Sequence, residues 1–212
     1  MLKRVFDFFV ALTGLVFLMP FLVVVTILVR ISSSGRVFFC QERVGRKGQT
    51  FVLFKFRTMR MADGAEKGHF DAGNSERVTQ LGRFLRKTKL DELPQLWNVF
   101  KGDMSLVGPR PEVRKWVEAY PERWARVLTV RPGITDPASI VYRHEEDILA
   151  SSPDPERTYR DEVLPHKLDL YEEYVKTRSF WGDVWILMRT AWVVVGSKTI
   201  ENVEHSTSKI QR

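Results

Sequence analysis

Two adjacent carboxylates, Asp91 and Glu92, stand within KTKLDELPQLWN at residues 87–98. The residues that precede them are strongly basic and comprise Arg77, Arg83, Arg86, Lys87 and Lys89. In such surroundings a carboxylate can stay ionised, share a Mg²⁺ ion with phosphate oxygens, and attack phosphorus to give an acyl phosphate. The pair is therefore a candidate site for Mg²⁺-assisted phosphoryl transfer.

Pro94 gives the same pair a structural interpretation. Proline fits only the first turn of a helix, so a helix that contains Pro94 must begin close to Asp91. Asp91 as the N-cap and Glu92 in the first turn would both stabilise that helix without any catalytic role. The same helix start would also offer unpaired amide donors to a phosphate. The motif alone leaves both interpretations open.

Composition points to an anionic partner. The formal net charge is +7 and the isoelectric point is about 9.6. Nucleic acid, a phosphorylated substrate and an acidic membrane surface would each satisfy that charge. The single cysteine, Cys40, excludes an intrachain disulfide, and its place in the apolar run VFFC predicts a buried strand residue. The cysteine and the four histidines do not have the spacing of a zinc site.

The chain begins with a long apolar segment. Residues 5–29 carry one charge, Asp7, and about 20 apolar residues in a helix suffice to cross a bilayer core. The segment is too long for a signal peptide and lacks a cleavage site, so we predict a retained membrane anchor. Pro20 interrupts it, and both of its flanks are basic. A kinked span and a helix that enters and leaves through the same leaflet are equally compatible with these features.

The residues after the anchor predict a β-hairpin around Gly45–Gly48. In its second strand Lys55 and Arg57 would share one face, either to hold phosphate or as a solvated face over lipid headgroups. Residues 61–76 have the composition of a loop. Val78, Leu81 and Leu85 then follow the spacing of a short amphipathic helix.

The C-terminal third predicts two further helices. The first spans residues 165–176. The second, residues 180–196, contains Trp181, Trp185 and Trp192 and is interrupted by charge, so it is either an interfacial helix or a core helix. Residues 197–212 form a polar tail.

Three motifs occur in order behind the apolar segment: QERVGRKGQTFVLFKFRTM, LRKTKLDELPQLWNVFKGDMSLVGPRPE and VRPGIT. In series they closely resemble the bacterial sugar transferases, the small monotopic phosphoglycosyl transferases that are also called polyprenyl-phosphate hexose-1-phosphate transferases. The resemblance runs from the apolar segment through Thr135 and continues more loosely to about Gly196.

The resemblance implies an enzyme that takes a sugar 1-phosphate from a UDP-sugar, passes it to undecaprenyl phosphate and releases UMP. It implies a ping-pong reaction in which Asp91 is the nucleophile and a ligand of the Mg²⁺ cofactor, and Glu92 is its acid/base or positioning partner. The positions that match substrate- and phosphate-binding residues are Lys55, Arg57, Arg86, Pro109, Arg110 and Pro111.

The resemblance also implies an α+β, mainly helical fold. Residues 1–31 would form a re-entrant membrane helix broken at Pro20. Residues 32–212 would form a compact cytoplasmic catalytic domain with a small β-hairpin and amphipathic interfacial helices. The implied location is the cytoplasmic face of the bacterial inner membrane, where the partners are the UDP-sugar, undecaprenyl phosphate and membrane lipids, with no nucleic acid.

The chain departs from its relatives in two places. Many relatives have serine before the kink proline, whereas this chain has Met19, so Thr13 or Thr26 would have to stabilise the break. The segment ITDPASIVYRHEEDILASSPDPE also differs from hexose-transferring relatives, and the sugar is therefore not predicted. Two alternatives remain: a non-enzymatic basic membrane adaptor, and a glycosyltransferase that releases UDP.

Overall fold

The structure is a computed structural model that describes residues 2–60 and 77–195. These residues form the predicted α+β fold, which is mainly helical. The helices are α1 Leu2–Ser32, α2 Gln80–Lys87, α3 Gln95–Lys101, α4 Arg114–Ala119, α5 Pro121–Val127, α6 Pro137–Val141, α7 Glu145–Ala150, α8 Pro155–Thr158, α9 Leu164–Thr177 and α10 Phe180–Val195. The strands are β1 Phe38–Val44, β2 Thr50–Phe56, β3 Ser105–Val107 and β4 Gly133–Thr135. The predicted loop at 61–76 and the predicted tail at 197–212 lie outside the described residues.

The apolar segment is a single helix, α1, that continues through Pro20. Among the described helices, α1 is the one long and apolar enough to cross a membrane. Much of its surface is uncovered, and Phe17 is 80% exposed. Proline removes one backbone hydrogen bond from a helix, which bends a helix more readily than it ends it. The predicted break at Pro20 is thus not an end of the helix.

The N-terminal part of α1 is attached to the rest of the molecule by polar side chains. Buried Asp7 accepts hydrogen bonds from Ser105 Oγ at 2.8 Å and from the Leu106 amide at 3.2 Å. Arg4 donates to the carbonyls of Val99 at 2.6 Å and Phe100 at 2.8 Å. These contacts place α3 and β3 against the beginning of α1.

The C-terminal part of α1 contacts the same body of the protein. Val25 and Val29 are buried there with Phe56 of β2 and Leu85 of α2. The apolar helix therefore packs against the rest of the chain near both of its ends, and between them Leu15, Leu18 and Leu22 are partly buried while most other residues are exposed.

The predicted hairpin is confirmed. β1 and β2 pair antiparallel from Phe38 opposite Phe56 to Val44 opposite Thr50. Lys47 in the connecting turn has φ 60°, in the left-handed region. Cys40 lies on β1 as predicted, but it is only partly buried. One half of the Cys40 prediction is therefore wrong, because a two-stranded hairpin leaves part of each face uncovered.

A second sheet joins residues that are far apart in the sequence. β3 and β4 pair in parallel, with Ser105 opposite Gly133 and Val107 opposite Thr135. The backbones come so close that a Cβ added to Gly133 would lie 2.1 Å from the Gly108 amide nitrogen. Sequence patterns did not predict this pairing, because each strand is only three residues long.

The helix predictions hold with one correction. The helix predicted at 165–176 is confirmed as α9, and the one predicted at 180–196 as α10. Trp181, Trp185 and Trp192 of α10 are 77%, 64% and 75% exposed, which excludes the core-helix alternative. Val78 is not part of α2, since it forms an isolated bridge with Met59 before the helix begins.

Candidate active site

The acid pair lies on a 3₁₀ turn, Leu90–Glu92, that precedes α3. Lys89 enters the turn in the left-handed conformation, with φ 58°. The prediction that Asp91 caps the helix is wrong, because α3 begins later, at Gln95. The amide of Leu93 already donates to the Leu90 carbonyl at 3.3 Å, and Pro94 has no amide hydrogen to donate. Neither residue is available to the Asp91 side chain or to a phosphate.

Glu92 is held between two cations. Arg110 donates from Nη2 to Glu92 Oε1 at 2.5 Å and from Nη1 to Oε2 at 3.1 Å, and Lys55 Nζ lies 3.3 Å from Oε1. Burial acts to raise the pKa of Glu92, but Arg110 and Lys55 outweigh it and hold the pKa well below its usual range. Glu92 is therefore an ionised carboxylate whose oxygens are already engaged.

Asp91 is in a different electrostatic state, although it is the adjacent residue. It is 7% exposed, and its Oδ1 is buried without a hydrogen-bond partner among the described residues. Burial raises the pKa of Asp91 to about 6, because the attraction of Lys55 does not offset the loss of hydration and Glu92 adds repulsion. At neutral pH Asp91 is mostly ionised, and one of its oxygens has no hydrogen-bond partner among the described residues.

The GPRP motif brings Arg110 to the acid pair. Gly108 donates to the Thr135 carbonyl at 3.0 Å, and Gly133 donates to the Pro109 carbonyl at 3.0 Å. Backbone hydrogen bonds to β4 thus hold Gly108 and Pro109 in place, and the buried Pro109 and Pro111 flank Arg110. Glu92 raises the pKa of Arg110, so the guanidinium remains charged.

The other predicted cations divide into two groups. Arg86 lies near the pair, where its charge opposes the increase in the pKa of Asp91, and it donates to Thr58 Oγ1 at 2.8 Å and to Glu146 at 3.1 Å. Arg57 instead donates to the Ser33 and Ser34 carbonyls at the end of α1, at 2.7 and 2.9 Å.

The predicted common face of Lys55 and Arg57 therefore does not form one binding site. β2 ends at Phe56, between the two residues, and the two side chains have different partners. Lys55 reaches Glu92, whereas Arg57 holds the backbone that follows α1.

Comparison with known proteins identifies the family. The family model described as "Bacterial sugar transferase" matches residues 1–197. The chain belongs to the bacterial sugar transferase family. An uncharacterized sugar transferase of Bacillus subtilis is 38% identical to this transferase over 212 residues, which cover 98% of this chain and 94% of the relative.

Two relatives with named activities are longer than this chain. A UDP-N-acetylgalactosamine-undecaprenyl-phosphate N-acetylgalactosaminephosphotransferase of Aeromonas hydrophila is 34% identical over 192 residues, 89% of this chain and 42% of that protein. An undecaprenyl-phosphate galactose phosphotransferase of Salmonella typhimurium is 35% identical over 209 residues, 92% of this chain and 40% of that protein. The chain thus spans about two fifths of the length of these two relatives.

The residues of the acid pair fit a Mg²⁺ ion that is shared with substrate phosphates. Within residues 2–60 and 77–195, no group of three or more His, Cys, Asp or Glu side chains could hold a metal without further ligands. Mg²⁺ is commonly bound by one or two carboxylates together with substrate phosphates and water. Asp91 has the unpaired carboxylate oxygen that such a site needs, whereas the oxygens of Glu92 already accept from Arg110 and Lys55.

Sequence reasoning missed several polar groups of the transferase near the pair. Gln95 is 1% exposed, and its Nε2 is buried without a partner in the described part of the chain. Glu146 and the fully buried Asp136 come from the segment that departs from the relatives. Gln95 could have been noticed within DELPQ, but no local pattern connects residues 136 and 146 with residue 91.

Proposed function

We propose that this sugar transferase moves a sugar 1-phosphate from a UDP-sugar to undecaprenyl phosphate and releases UMP. The observation that carries the proposal is the asymmetry of the acid pair. Glu92 is paired with Arg110 and Lys55, while the neighbouring Asp91 is buried, mostly ionised at neutral pH and has an unpaired oxygen. The names of the relatives, which act on undecaprenyl phosphate, support the same assignment.

In the first half of the proposed reaction, an oxygen of Asp91 attacks the β-phosphorus of the UDP-sugar. The bond between that phosphorus and the bridging oxygen breaks, and UMP leaves with the bridging oxygen. In the second half, a phosphate oxygen of undecaprenyl phosphate attacks the phosphorus now bound to Asp91. The Asp91 carboxylate is released, and the product is undecaprenyl diphosphate sugar. Ping-pong kinetics follow from this order.

The neighbouring groups position the substrate and balance its charge. Glu92 is a poor proton donor at neutral pH because its pKa is depressed, so its role is to orient Arg110 and Lys55. Arg110, between Pro109 and Pro111, faces the nucleotide phosphates. When the substrate binds, Arg86 gives up its hydrogen bonds to Glu146 and donates to a phosphate oxygen instead. A Mg²⁺ ion on Asp91 would neutralise charge on the diphosphate.

We also propose that α1 is re-entrant, so that both of its ends lie at the cytoplasmic face of the bacterial inner membrane. The packing of both ends against the same body of the protein supports this topology, as do the basic flanks. In this arrangement residues 1–31 are the anchor and residues 32–212 the membrane-associated catalytic domain. The exposed tryptophans of α10 would lie at the lipid interface.

The test is an incubation of the purified protein with Mg²⁺ and single UDP-sugars, without a lipid acceptor. We expect UMP release and an intact-mass gain equal to one phosphosugar, and neither with Asp91→Asn. Turnover by Asp91→Asn at the wild-type rate would contradict the nucleophile assignment.

The same assay separates the alternatives. Release of UDP would indicate a glycosyltransferase, and lipid binding without any nucleotide release would indicate a membrane adaptor. The named relatives use different sugars, N-acetylgalactosamine in one and galactose in another, so the panel should include both together with UDP-glucose.

A further inference from the structure

Glu112, the residue that follows GPRP, is buried in a polar cluster to which no role has been assigned above. It is 6% exposed. Its Oε2 accepts from Arg43 Nη1 at 3.1 Å, and its Oε1 accepts from the hydroxyl of Tyr159. Lys167 Nζ lies 4.0 Å from the same Oε1. Three side chains from different parts of the chain thus converge on one carboxylate.

The partners of Glu112 are buried and are themselves held in place. Tyr159 is 3% and Lys167 is 4% exposed. Lys167 donates to Glu145 Oε2 at 3.0 Å and to the Tyr159 hydroxyl at 3.4 Å. Burying a carboxylate costs desolvation free energy unless the group is paired, and here the cluster supplies both opposite charge and hydrogen bonds.

The cluster fixes the backbone on the C-terminal side of Arg110. Arg43 donates to the Pro111 carbonyl at 3.2 Å as well as to Glu112, and the Val44 amide donates to the Glu112 carbonyl at 2.8 Å. The sheet of β3 and β4 fixes the other side, as described above. Proline at positions 109 and 111 restricts φ on both sides of Arg110. The β3–β4 sheet on one side and the Glu112 cluster on the other therefore fix the position of the Arg110 backbone.

We infer that Glu112 is a positioning residue for Arg110, and that Tyr159 and Lys167 of the C-terminal third hold Glu112 in place. The inference rests on the proposed function, in which Arg110 orients the nucleotide phosphates. Small displacements of a group that orients a reacting substrate lower rates strongly, by as much as about 100-fold for 1 Å. The loosely matching C-terminal third then serves the active site without contacting substrate.

The test compares Tyr159→Phe with Tyr120→Phe. Each substitution removes one hydroxyl, but the Tyr159 hydroxyl donates to Glu112 whereas the Tyr120 hydroxyl, between α4 and α5, donates to the Arg160 carbonyl at 2.9 Å. We expect Tyr159→Phe to slow the UMP burst from UDP-sugar on the order of 10-fold, and to leave transfer from the preformed phosphosugar enzyme to undecaprenyl phosphate within about twofold. Tyr120→Phe should change neither step, and Glu112→Gln should reproduce the Tyr159→Phe pattern.

A second measurement is independent of activity. Hydrogen exchange at the amides of residues 108, 110 and 112 should be faster in Tyr159→Phe than in the wild type, and unchanged in Tyr120→Phe. Unchanged exchange in Tyr159→Phe, or equal slowing of both half-reactions, would overturn the positioning role. Absence of UMP release from the wild type with every UDP-sugar would instead contradict the proposed function. The exchange result would still show whether Tyr159 holds the backbone around Arg110.

Discussion

Replacing Asp91 with asparagine should make the protein more stable at neutral pH while it removes the proposed activity. The ordinary pKa of an aspartate is 3.8, and burial raises that of Asp91 to about 6 in the folded protein. Each tenfold change in proton affinity corresponds to about 1.4 kcal/mol, so the ionised side chain costs the folded state roughly 3 kcal/mol. Asparagine carries no charge but leaves a buried amide to satisfy, so we expect a net gain of about 1–3 kcal/mol.

The gain in stability from Asp91→Asn should be larger at high pH than at low pH. Below pH 3.8 both states of the protein have a protonated Asp91 and no penalty exists. The penalty develops as pH rises from 3.8 to the folded pKa of about 6 and is complete above it. In metal-free buffer with detergent, the melting temperature of Asp91→Asn should therefore exceed that of the wild type at pH 8 by about 3–10 °C. The difference should shrink at pH 5.

Glu92→Gln is the matched control, because it neutralises the adjacent carboxylate. The pKa of Glu92 is depressed, so its ionised form stabilises the fold, and its loss leaves the partly buried Arg110 and Lys55 without their partner. We expect destabilisation of about 3–5 kcal/mol, opposite in sign to Asp91→Asn. A lower melting temperature for Asp91→Asn at pH 8, or the same sign for both variants, would refute the electrostatic reasoning.

Three further predictions concern the rate and the framework. The UMP burst should fall roughly tenfold between pH 7 and pH 5, because Asp91 must lose its proton to attack; a flat profile over this range would contradict its pKa of about 6. Arg57→Gln should lower the melting temperature, because it removes the hydrogen bond to the Ser33 carbonyl, and should leave the KM for UDP-sugar within about twofold. A large increase in KM would instead indicate a direct contact between Arg57 and a substrate phosphate. Gly133→Ala should destabilise the fold by about 1–3 kcal/mol or more, because its Cβ would overlap the Gly108 amide; circular dichroism melting that matches the wild type would exclude that close approach.

Much of the fold was predictable because its signals are local. The hairpin was visible as apolar runs around a glycine turn, and α9 was bounded by proline and by a polar end. The length of the apolar segment predicted α1. These features depend on side chains within about one to eight residues of one another, a range over which periodicity and turn residues carry information.

The structure differs from two predictions about residues near the acid pair. Asp91 was expected to cap a helix, but the left-handed Lys89 and the 3₁₀ turn moved the start of α3 to Gln95. Lys55 and Arg57 were expected to share one face, and the structure gives them different partners, Glu92 for Lys55 and the Ser33 carbonyl for Arg57. The Asp91 case shows that a left-handed backbone at one residue redirects a side chain that a regular pattern had placed.

The sequence by itself determined the family, the acid pair and the order of the motifs, since those depend on residue types in a row. Only the tertiary structure decided which of the two adjacent carboxylates is engaged. Arg110 and Lys55 converge on Glu92 from positions 18 and 37 residues away in the chain. Asp91 is left buried with an unpaired oxygen. Two neighbouring acids acquire opposite pKa shifts because each responds to charges and burial that the folded chain brings to it, and not to its place in the sequence.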